Sequence, residues 1–154
     1  MMLLKNVAGR FRRQKTKNSK ESANKDDSAR LKTADYQNRR RVTRKNPHID
    51  RLASGWLIRR FIDKRPRFQF ITEGEKVENA LTFDTVDGDF THHGEDCTFE
   101  TIIENFGLNK DSGFRQIAEI VHDIDRKDNK FNRPEATGVN AVIRGLAAVY
   151  SDDH

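Results

Sequence analysis

The chain has 154 residues but only one cysteine, Cys97, so an internal disulfide framework is excluded. Apolar residues are also scarce, since 34% of the chain is hydrophobic and another 34% is charged. No apolar run approaches the roughly 18–20 residues that cross a bilayer, and we therefore expect no membrane insertion. The chain has material for one packed core, and its cysteine usage fits the cytoplasm.

The net charge of +5 is unevenly distributed along the chain. Residues 1–45 contain 15 Lys and Arg against four Asp and Glu, a net of +11, which leaves −6 for the remainder. Residues 1–40 carry only scattered apolar side chains without a period, which is typical of segments that cannot offset the entropy of ordering. The sequence predicts a basic disordered extension or linker over 1–40 and a folded domain over 41–154.

The basic extension is a candidate contact for DNA, because Lys and Arg bind phosphates and release counterions. The densest part of it, Arg39, Arg40 and Arg41 with Arg44 beside them, lies next to the folded domain. The alternative is a solvated linker, since no aromatic or helical recognition pattern accompanies these charges.

Hydrophobic spacing predicts a helix-dominated α+β domain. Val42 lies in a predicted short edge strand, Asp50 is a candidate N-cap for the helix that follows, and Arg67–Ile71 alternates like a strand. Two further short strands are expected at 81–84 and 88–91. The domain therefore begins with a small β-sheet of short strands.

A cluster of three helices is expected after the sheet. The first is capped by Thr98 and has Gly107 at its C′ position, the second begins near Asp111, and the third has Pro134 at position N1. The predicted apolar face of the first helix is Phe99, Ile102, Ile103 and Phe106. That of the second is Phe114, Ile117, Ala118, Val121 and Ile124. That of the third is Ala136, Val139, Ile143, Leu146, Ala147 and Tyr150.

The segment HHGEDCTFE, residues 92–100, concentrates potential metal ligands. Cys97 would precede a helix N-terminus, where the helix dipole favours the thiolate form. Gly94 permits a turn that would bring His92 close to Cys97. The alternative is a polar loop with a buried structural cysteine.

A second group of ligands lies on the middle predicted helix. Glu119, His122 and Asp125 follow one another at i, i+3 steps, the Glu-x-x-His spacing of carboxylate-bridged metal sites in helical bundles. The alternative is a solvated helix face. With His92 and Cys97 these residues predict a mixed N, S and O site, which suits a transition metal better than Ca²⁺ or Mg²⁺.

Several other chemistries have no sequence support. The chain contains no Cys-x-x-Cys, Gly-rich phosphate loop, Gly-x-Ser-x-Gly or His-Glu-x-x-His pattern, so nothing indicates a nucleotide enzyme, a serine hydrolase or a zinc finger.

Three long segments, RVTRKNPHIDRLASGWLIRRFID, FTHHGEDCTFETI and IAEIVHDIDRKDNKF, occur in this order from Arg41 onwards. In these segments the chain resembles the C-terminal domain of ChrB-type chromate-resistance proteins, over about residues 41–154. The resemblance implies a bacterial cytoplasmic protein that supports chromate resistance, as a chromate- or metal-responsive sensor or accessory regulator of chromate efflux.

The resemblance leaves the chemistry of the domain open. Arg51, Arg59 and Arg60 would attract chromate, because guanidinium groups match tetrahedral oxyanions, and the alternative for them is surface salt bridges. A metal-dependent detoxification enzyme, acting as a reductase or a thiol-transfer partner, is the competing function. It is disfavoured because no flavin or nicotinamide site and no second cysteine are visible. A homo-oligomer is left open.

Overall fold

The computed structural model describes residues 30–150. Its compact unit begins at Leu31, so ten residues assigned to the predicted extension lie in the folded part, whereas residues 1–29 lie outside the described residues. A 3₁₀ turn covers Thr33–Tyr36, and the Leu31 N–H donates to the carbonyl of Asn105 at 2.9 Å. Tyr36 also packs edge-on against Phe106. This segment is therefore held by contacts with residues far along the chain.

Three strands form a parallel sheet. They are β1 (Arg40–Arg44), β2 (Arg67–Ile71) and β3 (Leu81–Thr82), in the spatial order β2-β1-β3. The strand at 67–71 is confirmed, whereas the edge position predicted for the strand around Val42 is wrong. β1 is the central strand, and both Val42 and Thr43 are buried because parallel sheets are covered on both faces.

The other predicted strands are shorter than expected. The segment 81–84 contributes only the two residues of β3, and 88–91 contributes only an isolated bridge between Phe90 and Phe83. Both phenylalanines are buried, so this stretch adds to the core as irregular chain rather than as regular sheet.

Four helices accompany the sheet in the described part of the chain. α1 (Ile49–Leu57) continues as a π-helical turn (Ile58–Ile62) and forms the crossover that two neighbouring parallel strands require. α2 (Thr98–Asn105), α3 (Ser112–Arg126) and α4 (Glu135–Val149) follow the sheet. The fold is thus helix-dominated α+β, as predicted, and no described helix is long and apolar enough to span a membrane.

The core lies between α1, α2 and α3. The apolar face predicted for α2 is buried as expected, and Ala118, Val121 and Ile124 of α3 pack against it. α4 differs from the prediction: Ile143 is partly buried against the core, but Leu146 is 49% exposed. Only the first half of α4 is therefore covered, and the apolar face predicted for its last turns is open to solvent.

A buried ion pair fixes the start of the sheet. The Arg41 guanidinium lies 3.5 Å from the Asp63 carboxylate, and the side chains are 1% and 0% exposed. Asp63 also accepts hydrogen bonds from the backbone N–H groups of Asn38, Arg39 and Arg65. Burial alone would raise the pKa of Asp63, but these N–H donors and Arg41 lower it. The pair therefore joins the strand β1 to the end of the π-helical turn.

The substitution Arg41→Met should lower the free energy of unfolding by about 3–5 kcal/mol, because it leaves the Asp63 charge buried without its partner. Urea unfolding measures the change. Arg40→Met is the matched control, since Arg40 is an exposed neighbour on the same strand, and it should cost less than about 0.5 kcal/mol. Equal effects of the two substitutions would contradict the role of the pair.

Candidate metal centre

The N-terminus of α2 is held by two carboxylates from different parts of the chain. Cys97, not the predicted Thr98, is the N-cap residue, and its N–H donates to Glu100 at 2.9 Å, as in a capping box. The N–H groups of Thr98 and Phe99 donate to Asp50 at 2.8 and 2.9 Å. The prediction that Asp50 caps its own helix is therefore wrong, since His48 is the N-cap there. Asp50 instead caps the first turn of α2.

Cys97, Glu100 and His122 form one group of potential metal ligands, which we call the Cys97 cluster. Their ligand atoms all lie within 4.8 Å of one another. His122 Nδ1 is 2.6 Å from Glu100 Oε2, and the side chains of Cys97 and His122 are fully buried. The cluster brings together a thiol, a carboxylate and an imidazole from two helices.

Asp128 orients the His122 ring from the opposite side. Its Oδ2 lies 3.2 Å from His122 Nε2, and its Oδ1 accepts the N–H of Lys130 at 3.0 Å. Phe131 packs edge-on against the imidazole with 5.1 Å between ring centroids. Without a metal ion, a proton lies between Nδ1 and Glu100 while Nε2 donates to Asp128. If a metal ion replaced the Nδ1 proton, the hydrogen bond from Nε2 to Asp128 would hold the ring in the orientation typical of metal-ligating histidines.

The protonation state of Cys97 differs from the prediction. Burial raises the pKa of the thiol, and the negative charges of Asp50 and Glu100 raise it further. The predicted effect of the helix N-terminus fails because its first N–H groups are already paired with these two carboxylates. In the absence of a cation Cys97 is therefore a thiol, and a bound metal ion would have to displace its proton.

The electrostatic environment of His122 also favours a positive charge. Burial lowers the pKa of the imidazole, but the hydrogen bonds to Glu100 and Asp128 outweigh it and raise the pKa. The protonated His122 ring offsets part of the charge of Glu100 and Asp128. A divalent metal ion that replaced one proton on His122 and the proton on the Cys97 thiol would leave the net charge of the cluster unchanged.

Asp50, His92 and Asp125 form a second group, the His92 cluster, whose ligand atoms also lie within 4.8 Å of one another. His92 Nε2 is 3.2 Å from Asp50, 3.5 Å from Asp84 and 3.7 Å from Asp125. The hydrogen bond to Asp50 raises the pKa of His92 despite partial burial. Burial and the charge of Asp50 raise the pKa of Asp125. This cluster joins α1, α3 and the loop before α2.

The His92 cluster is less suited to a metal ion than the Cys97 cluster. The Asp50 oxygens already accept from Thr98, Phe99 and the Ser54 hydroxyl. Arg126 Nη1 lies 3.2 Å from His92 Nδ1 and can only donate, so Nε2 carries the proton that faces Asp50. We interpret this cluster as a hydrogen-bonded junction between elements.

The five predicted metal ligands are thus divided between two clusters. His92 and Asp125 lie in one, Cys97 and His122 lie in the other, and Glu119 lies in neither among the described residues. Glu119 pairs with Arg133 at 3.3 Å instead. Asp50 was not predicted as a ligand. Glu100 was counted among the potential ligands of residues 92–100 but was not assigned to the site, although it stands at the capping-box spacing from Cys97.

The predicted oxyanion-binding arginines do not converge on one point. Arg51 binds the Asp84 carboxylate and donates to the carbonyl of Lys45 at 2.9 Å. Arg59 is exposed on the π-helical turn, and Arg60, also exposed, lies over the Phe61 ring at 5.8 Å. Arg51 therefore has a structural role at the end of β1.

The four arginines predicted to contact nucleic acid differ in their exposure to solvent. Arg41 is not available to phosphate because it is buried in its ion pair with Asp63, so this part of the prediction is wrong. Arg44 is partly buried and lies 3.8 Å from Asp84. Arg39 and Arg40 remain exposed.

Comparisons with known proteins place the chain in one family. A family model described as "ChrB, C-terminal domain" matches residues 41–154. Protein ChrB of Cupriavidus metallidurans (strain ATCC 43123 / DSM 2839 / NBRC 102507 / CH34) is 36% identical over 111 residues, which are 71% of this chain and 34% of that protein. The chain therefore spans about a third of the length of this relative. No solved structure matches it.

The substitution Asp50→Ala should lower the free energy of unfolding by about 2–4 kcal/mol, because it leaves two buried N–H groups of α2 without an acceptor. Thermal and urea unfolding measure the loss. Glu104→Ala, at an exposed carboxylate of α2 itself, is the control and should change stability by less than about 0.5 kcal/mol. A loss no larger than that of the control would show that Asp50 does not hold the two helices together.

Proposed function

We propose, from the premise that this chain belongs to the family of the ChrB C-terminal domain, that it is a chromate-resistance protein. We further propose that its domain acts as a metal-responsive sensor or accessory regulator of chromate efflux. The observation that supports the responsive role is the Cys97 cluster. In it a thiol, a carboxylate and an imidazole converge, and Asp128 orients the imidazole.

The donor set of the Cys97 cluster fits a divalent transition metal. Thiolate, imidazole and carboxylate are the ligands of Zn²⁺ and its neighbours, and three protein ligands leave a fourth coordination position open. Glu100 lines an open crevice of about 240 Å³ together with Asp96, Arg115 and Phe131, which provides an entry path from solvent. The site thus combines buried ligands with one accessible edge.

A metal ion in this cluster would connect three parts of the domain. Cys97 and Glu100 belong to the start of α2, His122 to α3, and Asp128 to the loop after α3. Binding would displace the thiol proton and the proton shared by His122 and Glu100. Because the ligands converge only in the folded chain, occupancy stabilises this arrangement of helices and makes the fold itself responsive to metal.

The competing detoxification enzyme receives no support from the geometry. A thiol-transfer partner needs an accessible thiolate, whereas Cys97 is buried and its pKa is raised. The same environment suits a cysteine whose proton is released only on metal binding.

Removal of either buried ligand should abolish tight metal binding. We expect the wild-type chain to bind one Zn²⁺ and to melt at a higher temperature with it, and Cys97→Ser and His122→Ala to lose about 100-fold or more in affinity. Isothermal titration calorimetry and thermal melting measure both effects. Glu119→Gln is the control, since Glu119 pairs with Arg133, and its affinity should be unchanged. An equal loss of Zn²⁺ affinity in Glu119→Gln, or a wild-type chain that binds no Zn²⁺, would contradict the proposed metal site.

Asp128→Asn should weaken Zn²⁺ binding by about 10–100-fold, because Asp128 orients the His122 ring without lying in the ligand group. Asp125→Asn is the matched control, since it removes the same charge from the His92 cluster and should leave the affinity unchanged. Weaker Zn²⁺ binding by Asp125→Asn, with unchanged binding by Asp128→Asn, would indicate that the metal binds in the His92 cluster instead.

The regulatory role is tested in a bacterium that carries a chromate efflux gene and lacks its own copy of this protein. Expression of the wild-type chain should make the efflux transcript respond to chromate, and Cys97→Ser should remove that response. Glu119→Gln should retain it. A full transcript response with Cys97→Ser would separate chromate resistance from the Cys97 cluster and contradict the sensor proposal.

A further inference from the structure

A crevice of about 450 Å³ lies at the carboxyl ends of the three parallel strands. Arg44 and Ile71 are the last residues of β1 and β2, Thr82 is the last residue of β3, and all three line it. The remaining walls come from the loops at 72–77 and 85–88. A second crevice of about 310 Å³ shares Arg44 and Ile71 and extends the space towards Lys45 and Arg51.

The strand order makes this edge of the sheet a natural binding position. The chain leaves β1 for β2 on one side and later returns to β3 on the other side of β1. In open parallel sheets, ligands bind outside the carboxyl ends of the strands where the strand order reverses in this way. The volume also lies within the range of about 300–1,000 Å³ that holds small organic ligands.

The end of the crevice next to β1 is positively charged. Arg44 and Arg51 both approach Asp84, but Arg51 forms the close pair, whereas Arg44 Nη2 is 3.8 Å from the carboxylate. The Arg44 side chain is 33% exposed, and Lys45 follows it in the same wall. Glu73 lines this end, whereas Glu75 and Asp87, with Lys76, line the larger crevice farther from Lys45. Arg44 Nε donates to the Asp84 carbonyl at 3.3 Å, so the donors of Arg44 that an anion could use are its terminal N–H groups.

The opposite wall contains a hydroxyl that the protein does not use. Thr85 Oγ1 is buried and has no hydrogen-bond partner among the described residues. Gly88 packs against it so closely that a Cβ at position 88 would collide with the hydroxyl. An unpaired buried hydroxyl costs about 1–3 kcal/mol, and rotation of the Thr85 side chain would offer it to a ligand.

We propose that this crevice binds a small organic anion, whose phosphate or carboxylate group pairs with Arg44 and whose body lies over Ile71, Val77 and Val86. A free inorganic oxyanion would fill only a small part of the space, so the apolar wall favours an organic ligand. The lining residues include none of the Cys97 cluster, and the two proposals are therefore independent.

The test is to titrate the full chain with adenosine 5′-monophosphate, citrate and inorganic phosphate. Calorimetry measures the affinities, and NMR of the backbone amides locates the binding site. At least one organic anion should bind saturably, about tenfold or more tightly than inorganic phosphate, with shifts centred on residues 72–77 and 82–88. No saturable binding of either organic anion, equal affinity for inorganic phosphate, or shifts centred elsewhere would overturn the proposal.

Two variants locate the binding group. Arg44→Gln should weaken the organic anion about tenfold or more, whereas Arg65→Gln, the same change at an exposed residue before β2, should leave it unchanged. Thr85→Val should weaken binding without lowering the melting temperature, because it removes only an unpaired hydroxyl. Equal binding by the Arg44 and Arg65 variants, with both folded by circular dichroism, would also overturn the proposal.

Discussion

The carboxylate of Asp50 is the constraint on which the rest of the site depends. It extends from the first turn of α1 to the first N–H groups of α2, and it also holds His92. Because those N–H groups would otherwise be buried without an acceptor, the position of α2 on α1 follows from this one side chain. The ends of α2 and α3 then meet, and Cys97 and Glu100 come to lie beside His122.

The same carboxylates explain why two similar clusters have different chemistry. Asp50 has its oxygens occupied by α2 and His92, and Arg126 faces the remaining ring nitrogen of His92. Glu100 and His122, in contrast, share one contact of 2.6 Å beside a protonated thiol, with Asp128 behind the ring. One cluster is satisfied by hydrogen bonds, and the other stores protons that a cation could replace.

Local patterns predicted the helices better than the ligand groups. The spacing of apolar residues identified the buried face of α2. Gly107 follows the C-cap of that helix, as predicted, and its φ of 68° is in the left-handed region. Glu119 and His122 have the i, i+3 spacing of a metal site, but among the described residues their side chains do not belong to the same group of potential ligands. The 60° of rotation between them directs His122 into the core and leaves Glu119 at the edge with Arg133.

By itself the sequence determined the fold class, the family and the residue types that carry chemistry, because periodicity, capping residues and motifs are properties of neighbouring positions. Tertiary structure alone decided which of those residues meet. Asp50 reaches α2 from 48 positions away, Arg41 is buried by Asp63 rather than presented to phosphate, and the strand ends form a crevice only after β3 joins β1. Contacts of this kind depend on how helices and strands pack, and no local pattern in the chain encodes the partner.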